Sequence, residues 1–239
     1  MGISESNILN DEGKSATKIK GYDTINDNLL KSGRSRSTIY VKSRLKYVVR
    51  TDLMEEDSPE VWIEVDIKKG KSIGEKILVC QFYREQSELR GDKSRIGSEK
   101  LHKQKERLHK WMEKVATKVM SENKRIYIGG DFNASVGVNG ETKDTIGADL
   151  EEILICDAGL DMIVKEATHQ EVKNGVLCRA RTIDHIYTNS PEKTLNTRAI
   201  NEAGSHHKLL ITKIRENMLT GSHFSIKVER GASTQKNPI

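Results

Sequence analysis

The chain has 239 residues, enough for one domain or for two small ones. With 35% hydrophobic and only 5% aromatic residues, and a mean hydropathy of -0.62, it can bury a core, though a lean one. Its longest apolar runs, such as Ile77–Cys80, are far too short for a transmembrane helix, so we expect no membrane partner. No repeat or low-complexity run interrupts the sequence, and most of it is predicted to fold.

Charge is distributed unevenly along the sequence. The net charge is +5, and between Arg84 and Lys118 there are 11 Lys and Arg against 6 Asp and Glu, so this segment carries the whole surplus. Such a segment suits a polyanionic partner such as nucleic acid, but it is also typical of an ordinary solvated helix. The three cysteines, Cys80, Cys156 and Cys178, lack metal-ligand spacing. They indicate a reducing, intracellular compartment and predict buried, apolar roles.

The first part of the chain predicts short strands. Residues 11–36 are polar and rich in Gly, Ser, Lys and Arg, which predicts a loop with at most one helical turn. Thr38–Val41 and Tyr47–Arg50 predict the two strands of a hairpin. Val61–Ile67 alternates, so its four aliphatic side chains share one face, and Lys76–Tyr83 predicts the next strand. This succession of strands favours a layered sheet structure over a helical bundle.

The clearest predicted helix is Leu101–Met120. Its apolar residues recur at three- and four-residue intervals, with Lys, Glu and His over the other face; they are Leu101, Leu108, Trp111, Met112, Val115 and Val119. His102 and His109 lie among the charged residues and are predicted to be solvated. A shorter helix is predicted at Asp149–Ala158.

Three later strands and a tail complete the predicted elements. The strands are Ile126–Ile128, Thr182–Thr188 and Lys208–Ile214. From residue 216 onward the chain is polar. We therefore divide it into one domain, residues 1–215, and a polar tail or linker remnant, residues 216–239.

The segment Arg125–Gly137, with the sequence RIYIGGDFNASVG, is the most informative stretch. A short buried strand passes through two glycines into Asp131 and Asn133. The glycines allow a sharp turn or the close approach of a ligand, and a strand end can hold side chains rigidly against a metal or a phosphate. The alternative is a strand that ends in a simple turn, because Gly, Asp and Asn are common turn residues.

Other polar residues stand at the ends of predicted strands or in loops. They are Glu5, Tyr83, Asp184 with His185, and Ser205-His206-His207. None of them is diagnostic alone, since an Asp-His pair on a strand is usually a satisfied polar pair and a His-His pair is more often exposed than ligating.

Together, and in this order, these stretches resemble the endonuclease/exonuclease/phosphatase superfamily. The likeness is closer to the apurinic-type endonuclease domain of non-LTR (LINE-like) retrotransposons, and it spans about residues 3–214. The matching stretches are ISES (3–6), IYVK (39–42), VWIEV (61–65), FYR (82–84), GDFNA (130–134), RTIDHIY (181–187) and SHHKLL (205–210).

The resemblance implies an α+β fold, a two-layer β-sandwich flanked by helices, with the active site at one edge where strand ends and loops converge. It implies metal-assisted hydrolysis of a phosphodiester in DNA, and hence a nuclear location. Glu5 matches a metal-ligand glutamate, and Mg²⁺, with Mn²⁺ as the alternative, suits carboxylate oxygens and substrate phosphate.

The resemblance also implies roles for the other motif residues. Asp131 matches the aspartate that positions the attacking water, and Asn133 an amide that supports the phosphate. His207 matches the general base, and Asp184 the carboxylate that orients its imidazole. Tyr83 matches a tyrosine that donates to the phosphate.

The sequence departs from the family pattern in two places. The family's terminal motif is Ser-Asp-His, and its Asp belongs to the metal site; here that position is His206, which brings no negative charge and suits softer metals than Mg²⁺. The family also has an opening strand with an active-site Asn upstream of the glutamate, and we expect that first strand to be missing here.

Three hypotheses follow. The first is a retroelement-derived, metal-dependent DNA endonuclease that nicks one strand. The second is an inactive remnant of that domain that at most binds nucleic acid. The third, ranked lowest, is a phosphatase or phosphodiesterase of the same superfamily that acts on a lipid head group.

Overall fold

A computed structural model describes residues 1–8, 18–27, 35–55, 58–69, 72–85, 95–174, 176–201, 205–215 and 223–230. The first strands in this part of the chain are β1 Gly2–Ile8, β2 Tyr22–Asn26, β3 Ser35–Lys42, β4 Tyr47–Val49, β5 Glu60–Lys69 and β6 Ser72–Tyr83. The later strands are β7 Arg125–Asp131, β8 Asp161–Met162, β9 His169–Lys173, β10 Val176–Arg181, β11 Asp184–Thr188, β12 Thr194–Ile200, β13 Leu209–Arg215 and β14 His223–Arg230.

Helices are few among the described residues. Helix α1 is Arg95–Lys114, and it continues through a π-helical turn, Val115–Val119, into a 3₁₀ turn, Met120–Glu122. Helix α2 is Thr145–Leu150, followed by a wider helical segment, Glu151–Asp157. None of the described helices has the length and apolar composition needed to cross a membrane.

The described strands form two six-stranded sheets and a separate hairpin. The first sheet has the order β12-β13-β14-β1-β3-β2, the second has the order β4-β5-β6-β7-β11-β8, and β9 pairs with β10 alone. Most neighbours are antiparallel, but β6 is parallel to β7, and β1 is parallel to β14. A parallel pair needs a crossover connection, and helix α1 lies in the chain between β6 and β7.

The two sheets pack face to face. Ile39 and Val41 of β3 contact the aliphatic side chains of β5, which the predicted alternation places on one face: Val61, Ile63, Val65 and the partly buried Ile67. Trp62 faces the other way and packs against helix α1 in a second apolar cluster. The predicted α+β sandwich with flanking helices is therefore confirmed, whereas the missing opening strand stays a prediction.

A buried carboxylate anchors helix α1 to the second sheet. Glu60 has no exposed surface and accepts hydrogen bonds from the indole N–H groups of Trp62 and Trp111. The Lys114 ammonium lies 2.5 Å from the same carboxylate and neutralises it. A buried charge is costly unless it is paired, so these three contacts fix the rotation of the helix.

Several basic side chains of the Arg84–Lys118 segment lie close to acidic side chains. His109, which is less solvated than predicted, and Lys105 lie 3.0 and 3.7 Å from Asp149, and Lys110 lies 3.1 Å from Glu55. Together with the Lys114–Glu60 pair, these contacts connect helix α1 to the rest of the protein. Part of the positive charge of the segment is therefore paired within the protein and is not available to a binding partner.

Three sequence-based predictions are wrong in detail. The strands β3 and β4 belong to different sheets and do not form a hairpin. The segment 11–36, predicted as a loop, contains β2 and the start of β3; its residues 11–17 and 28–34 lie outside the described part. Cys80 is buried as predicted, but Cys156 and Cys178 are exposed.

The predicted tail, residues 216–239, contains strand β14. This strand pairs antiparallel with β13 from Leu210↔Val228 to Arg215↔His223, and parallel with β1 at Gly2↔Val228 to Ser4↔Arg230. The backbone of β14 is therefore bonded on both edges, and it joins the strand that carries Glu5 to the strand that follows His207.

Deleting residues 216–239 should destabilise the whole sandwich, because β1 and β13 would both be left with unpaired edges. We expect the thermal unfolding midpoint to fall by more than about 10 °C, or the cooperative transition to disappear. The control deletes only residues 231–239 and leaves β14 in place. Equal midpoints for the two truncated proteins would contradict the role assigned to β14.

Candidate active site

Three predicted site residues lie in one row across the second sheet. Tyr83 of β6 pairs with Asp131 of β7, and Asp131 pairs with Asp184 of β11. Side chains in one row of a sheet point to the same face, so strand register alone brings these groups together. Each lies at an end of its strand, and all three residues are buried.

A glycine permits the close approach of β6 and β7 at this point. A Cβ atom on Gly130 would lie 1.8 Å from the carbonyl oxygen of Phe82. Any side chain at position 130 would therefore push the two strands apart, directly beside the row of Tyr83 and Asp131. The glycine is a requirement of the strand contact here and not merely a turn residue.

The chain turns sharply after Asp131. The backbone N–H of Asn133 donates to Asp131 Oδ1 at 2.9 Å, and Asn133 adopts a positive φ of 48°. Asn tolerates this left-handed conformation better than most residues with a side chain. Between them, Phe132 donates its N–H to the carbonyl of Ile183 at 2.9 Å, so the turn is bonded to the segment that precedes Asp184.

Asp184 and His207 form a buried contact. His207 Nδ1 lies 2.9 and 3.1 Å from the two oxygens of the Asp184 carboxylate, and the two side chains are each about 5% exposed. A carboxylate at Nδ1 selects the tautomer with the proton on that nitrogen, and it leaves Nε2 as the proton acceptor.

Thr168, which sequence reasoning missed, bonds both the segment that carries Asp184 and the segment that carries His207. Its hydroxyl accepts the backbone N–H groups of Ile183 and Asp184 at 3.1 and 3.0 Å, and its carbonyl accepts the N–H of Lys208 at 2.7 Å. Thr168 is fully buried. No local motif marks it, because its role depends on bonds to two distant segments.

His169 was also missed, although it lies against His207. The two residues form an isolated antiparallel bridge, and their rings are 4.7 Å apart in an edge-to-face arrangement. Burial, followed by the positive charge that His207 can carry, lowers the pKa of His169 to about 4. The His169 imidazole is therefore neutral at physiological pH.

One group of described residues has donor atoms suited to a cation. Ligand atoms of Asp131, Asp184 and His207 all lie within 4.8 Å of one another. The two carboxylates are donors of the kind that a hard divalent cation takes, whereas the Nδ1 atom of His207 is already bonded to Asp184. His206 lies outside this group; its exposed ring is 6.3 Å from the ring of His169.

Glu5 lies on β1 beside Ser4, but its own side chain is outside the described residues. The Ser4 hydroxyl accepts the backbone N–H of Asp131 at 3.2 Å and the side-chain amide of Gln81 at 2.7 Å. These bonds place the backbone of β1 against the ends of β6 and β7, next to the row that contains Asp131.

Comparison with solved structures gives several similar folds, including the following two. The endonuclease domain of TRAS1, a telomere-specific non-LTR retrotransposon, superposes with a TM-score of 0.60 at 16% identity, covering 83% of this chain and 82% of that one. The catalytic domain of Xenopus laevis APE2 gives a TM-score of 0.60 at 14% identity, covering 98% and 85%. No protein-family profile and no curated protein sequence matches the chain.

These comparisons establish the fold. The chain has the endonuclease/exonuclease/phosphatase fold, as the ordered motifs predicted. At such low identity the roles of individual residues are not carried over, and the roles assigned to Glu5, Tyr83, Asn133 and the other motif residues stay predictions.

Replacing His169 should reduce the acid sensitivity of the fold. An unfolded histidine binds its proton near pH 6.5, whereas His169 in the folded protein does so only near pH 4. The unfolded state therefore binds more protons between these values, and stability that is complete above about pH 6.5 is lost as the pH falls towards 4. Urea unfolding of His169→Gln should show a smaller loss of unfolding free energy between about pH 7 and pH 4.5 than the wild type.

The matched control is His102→Gln, since the His102 side chain is 74% exposed. This control should follow the wild-type pH dependence. A His169→Gln protein with the same loss as wild type would contradict the buried, neutral state of His169.

Proposed function

We propose that this chain is a metal-dependent phosphodiesterase of the retroelement endonuclease type that nicks one strand of DNA. The observation that carries the proposal is the convergence of Asp131, Asp184 and His207 at one end of the sheet, with donor atoms within 4.8 Å. Phosphodiester hydrolysis requires a base for water and positive charge beside the phosphoryl oxygens. His207 of this group offers the base, and the Asp131 carboxylate would help to hold a cation that supplies the charge.

His207 is the proposed general base. Its Nδ1 is held by the Asp184 carboxylate, so Nε2 is the nitrogen that takes the proton from water. The negative charge of Asp184 stabilises the imidazolium that results. Burial of both side chains keeps the pair in one orientation, which is what a base needs at the moment of proton transfer.

Asp131, Asn133 and Tyr83 complete the proposed site. The Asp131 carboxylate orients the attacking water, and the side chains of Asn133 and Tyr83 support the phosphate. Glu5, Asp131 and the residue at position 206 are the proposed holders of Mg²⁺ or Mn²⁺. When bound there, the cation supplies positive charge that neutralises the phosphoryl oxygens and the leaving oxygen.

DNA is the proposed substrate. Support comes from the similar folds, since both are catalytic or endonuclease domains by name and one belongs to a retrotransposon. The net charge of +5 favours a polyanionic partner. A nuclear location accompanies this proposal.

Replacement of His207 tests the proposed chemistry. Wild-type protein incubated with supercoiled plasmid and Mg²⁺ or Mn²⁺ should give nicked circles, and EDTA should abolish the product. His207→Ala should lower the nicking rate about 10³-fold, because a positioned base contributes on that order. The measurement is the fraction of nicked circles with time on agarose gels.

The same assay separates the alternatives. His102→Ala, which removes an exposed histidine from helix α1, is the control and should nick at the wild-type rate. DNA binding without nicking would favour the inactive remnant, for which His206 in place of the family's Asp is the specific observation. Release of phosphate from lipid head groups with intact plasmid would contradict DNA as the substrate.

His206→Asp should improve activity with Mg²⁺. A carboxylate adds a negative charge and a hard oxygen donor, so the Mg²⁺ concentration for half-maximal nicking should fall about tenfold. The control is His102→Asp, which adds the same charge at an exposed position on α1 and should leave the metal dependence unchanged. If His206→Asp and wild type require equal Mg²⁺, position 206 does not contribute to the cation site.

A further inference from the structure

Arg84 makes an unusual set of contacts at the edge of the candidate site. Its Nε–H donates to the carbonyl oxygen of Phe132 at 2.6 Å, and its terminal Nη2 donates to the carbonyl oxygen of Asn133 at 2.6 Å. The planar guanidinium therefore bridges two successive carbonyl groups. A forked donor of this kind fixes their relative orientation, which a lysine ammonium cannot do as rigidly.

The backbone of Arg84 is bonded to the same segment. Its N–H donates to the carbonyl of Asp131 at 2.8 Å, and its own carbonyl accepts the side-chain amide of Asn133 at 2.7 Å. Arg84 thus contacts three consecutive residues, 131 to 133, through four hydrogen bonds of 2.6 to 2.8 Å.

This segment needs external support. Asn133 holds a left-handed φ of 48°, which costs energy for any residue with a Cβ atom. The Asn133 residue is only 5% exposed. The turn that orients its side chain also orients Asp131, because the Asn133 N–H donates to the Asp131 carboxylate. Bonds from Arg84 to both carbonyls stabilise the turn in this conformation and oppose its relaxation to an ordinary one.

We propose that Arg84 is a positioning residue: its guanidinium, bonded to the carbonyls of Phe132 and Asn133, sets the turn that presents Asp131 to the attacking water and Asn133 to the scissile phosphate. This rests on the proposed phosphodiesterase function. Arg84 acts through the turn and not by binding the phosphate. Loss of the bridge therefore lowers the rate of the chemical step and leaves DNA affinity almost unchanged.

The test compares Arg84→Lys and Arg84→Met with wild type in plasmid nicking. Both variants should lose about 100-fold in kcat, since a displacement near 1 Å at a catalytic group costs on that order. Their KM should stay within about threefold, and the dependence of binding on salt concentration should not change. Arg84→Lys keeps the charge but cannot bridge both carbonyls, so it should be as slow as Arg84→Met.

The matched control is Arg50→Lys. Arg50 is also a partly buried arginine with several acceptors, Asp52, Glu64 and Glu122. Glu64 bonds Lys124, which precedes Arg125 at the opposite end of β7 from Asp131. This variant should keep the wild-type kcat.

Other outcomes overturn the proposal. A raised KM with unchanged kcat, restored by Arg84→Lys, would make Arg84 a phosphate-binding cation. An unchanged kcat in both variants would make the bridge irrelevant to catalysis. If Arg84→Met does not fold, Arg84→Ala is assayed with added guanidinium or methylammonium at equal ionic strength. Guanidinium alone should restore part of kcat, and equal rescue by the two ions would contradict the bridge.

A second readout does not depend on cleavage. Hydrogen–deuterium exchange of the backbone amides at 131–133 should accelerate about tenfold or more in Arg84→Lys and not in Arg50→Lys, because the turn loses its two bonds to the guanidinium. If wild type nicks no DNA, the proposed function fails while this measurement still tests the bridge. Unchanged exchange in Arg84→Lys would contradict it.

Discussion

The alignment of strands β6, β7 and β11 is the constraint on which the candidate site depends. Tyr83, Asp131 and Asp184 stand in one row because the three strands are paired in one register. If any one of these strands slipped by one residue, its side chains would point to the opposite face of the sheet and its site residue would leave the row. The parallel pairing of β6 with β7 is in turn possible only because helix α1 carries the chain back across the sheet.

Apolar packing beside the row of Tyr83, Asp131 and Asp184 connects helix α1 to the candidate site. Phe82 stacks on Trp111 of α1 with ring centroids 4.1 Å apart, and Phe132 packs against Phe82 at 5.1 Å. Phe82 precedes Tyr83, and Phe132 lies inside the Asp131–Asn133 turn. The carboxylate of Glu60, bonded to Trp111 and Lys114, holds the helix side of this stack. The candidate catalytic groups at the strand ends are thus supported by a packed layer and not by loops alone.

Sequence reasoning succeeded where a local pattern determines the structure. The alternation in Val61–Ile67 and the helical spacing around Trp111 identified β5 and α1, and the ordered motifs identified the fold. It failed where the decisive partner is distant. Thr168 and His169 acquire their roles only when β9 lies beside the segment around His207, and β4 was assigned to β3 although it pairs with β5. The strand β14 was missed because its alternating segment is embedded in a polar stretch.

The position of β14 also bears on the order of folding during synthesis. This strand lies between β1, which is synthesised long before it, and β13, which is synthesised shortly before it. The first sheet cannot close until residue 230 has left the ribosome, so the edge of β1 that pairs with β14 waits unpaired until β14 emerges. The second sheet needs only residues up to Thr188. The nascent chain would therefore build the layer with the carboxylates first and join the layer with Glu5 to it last.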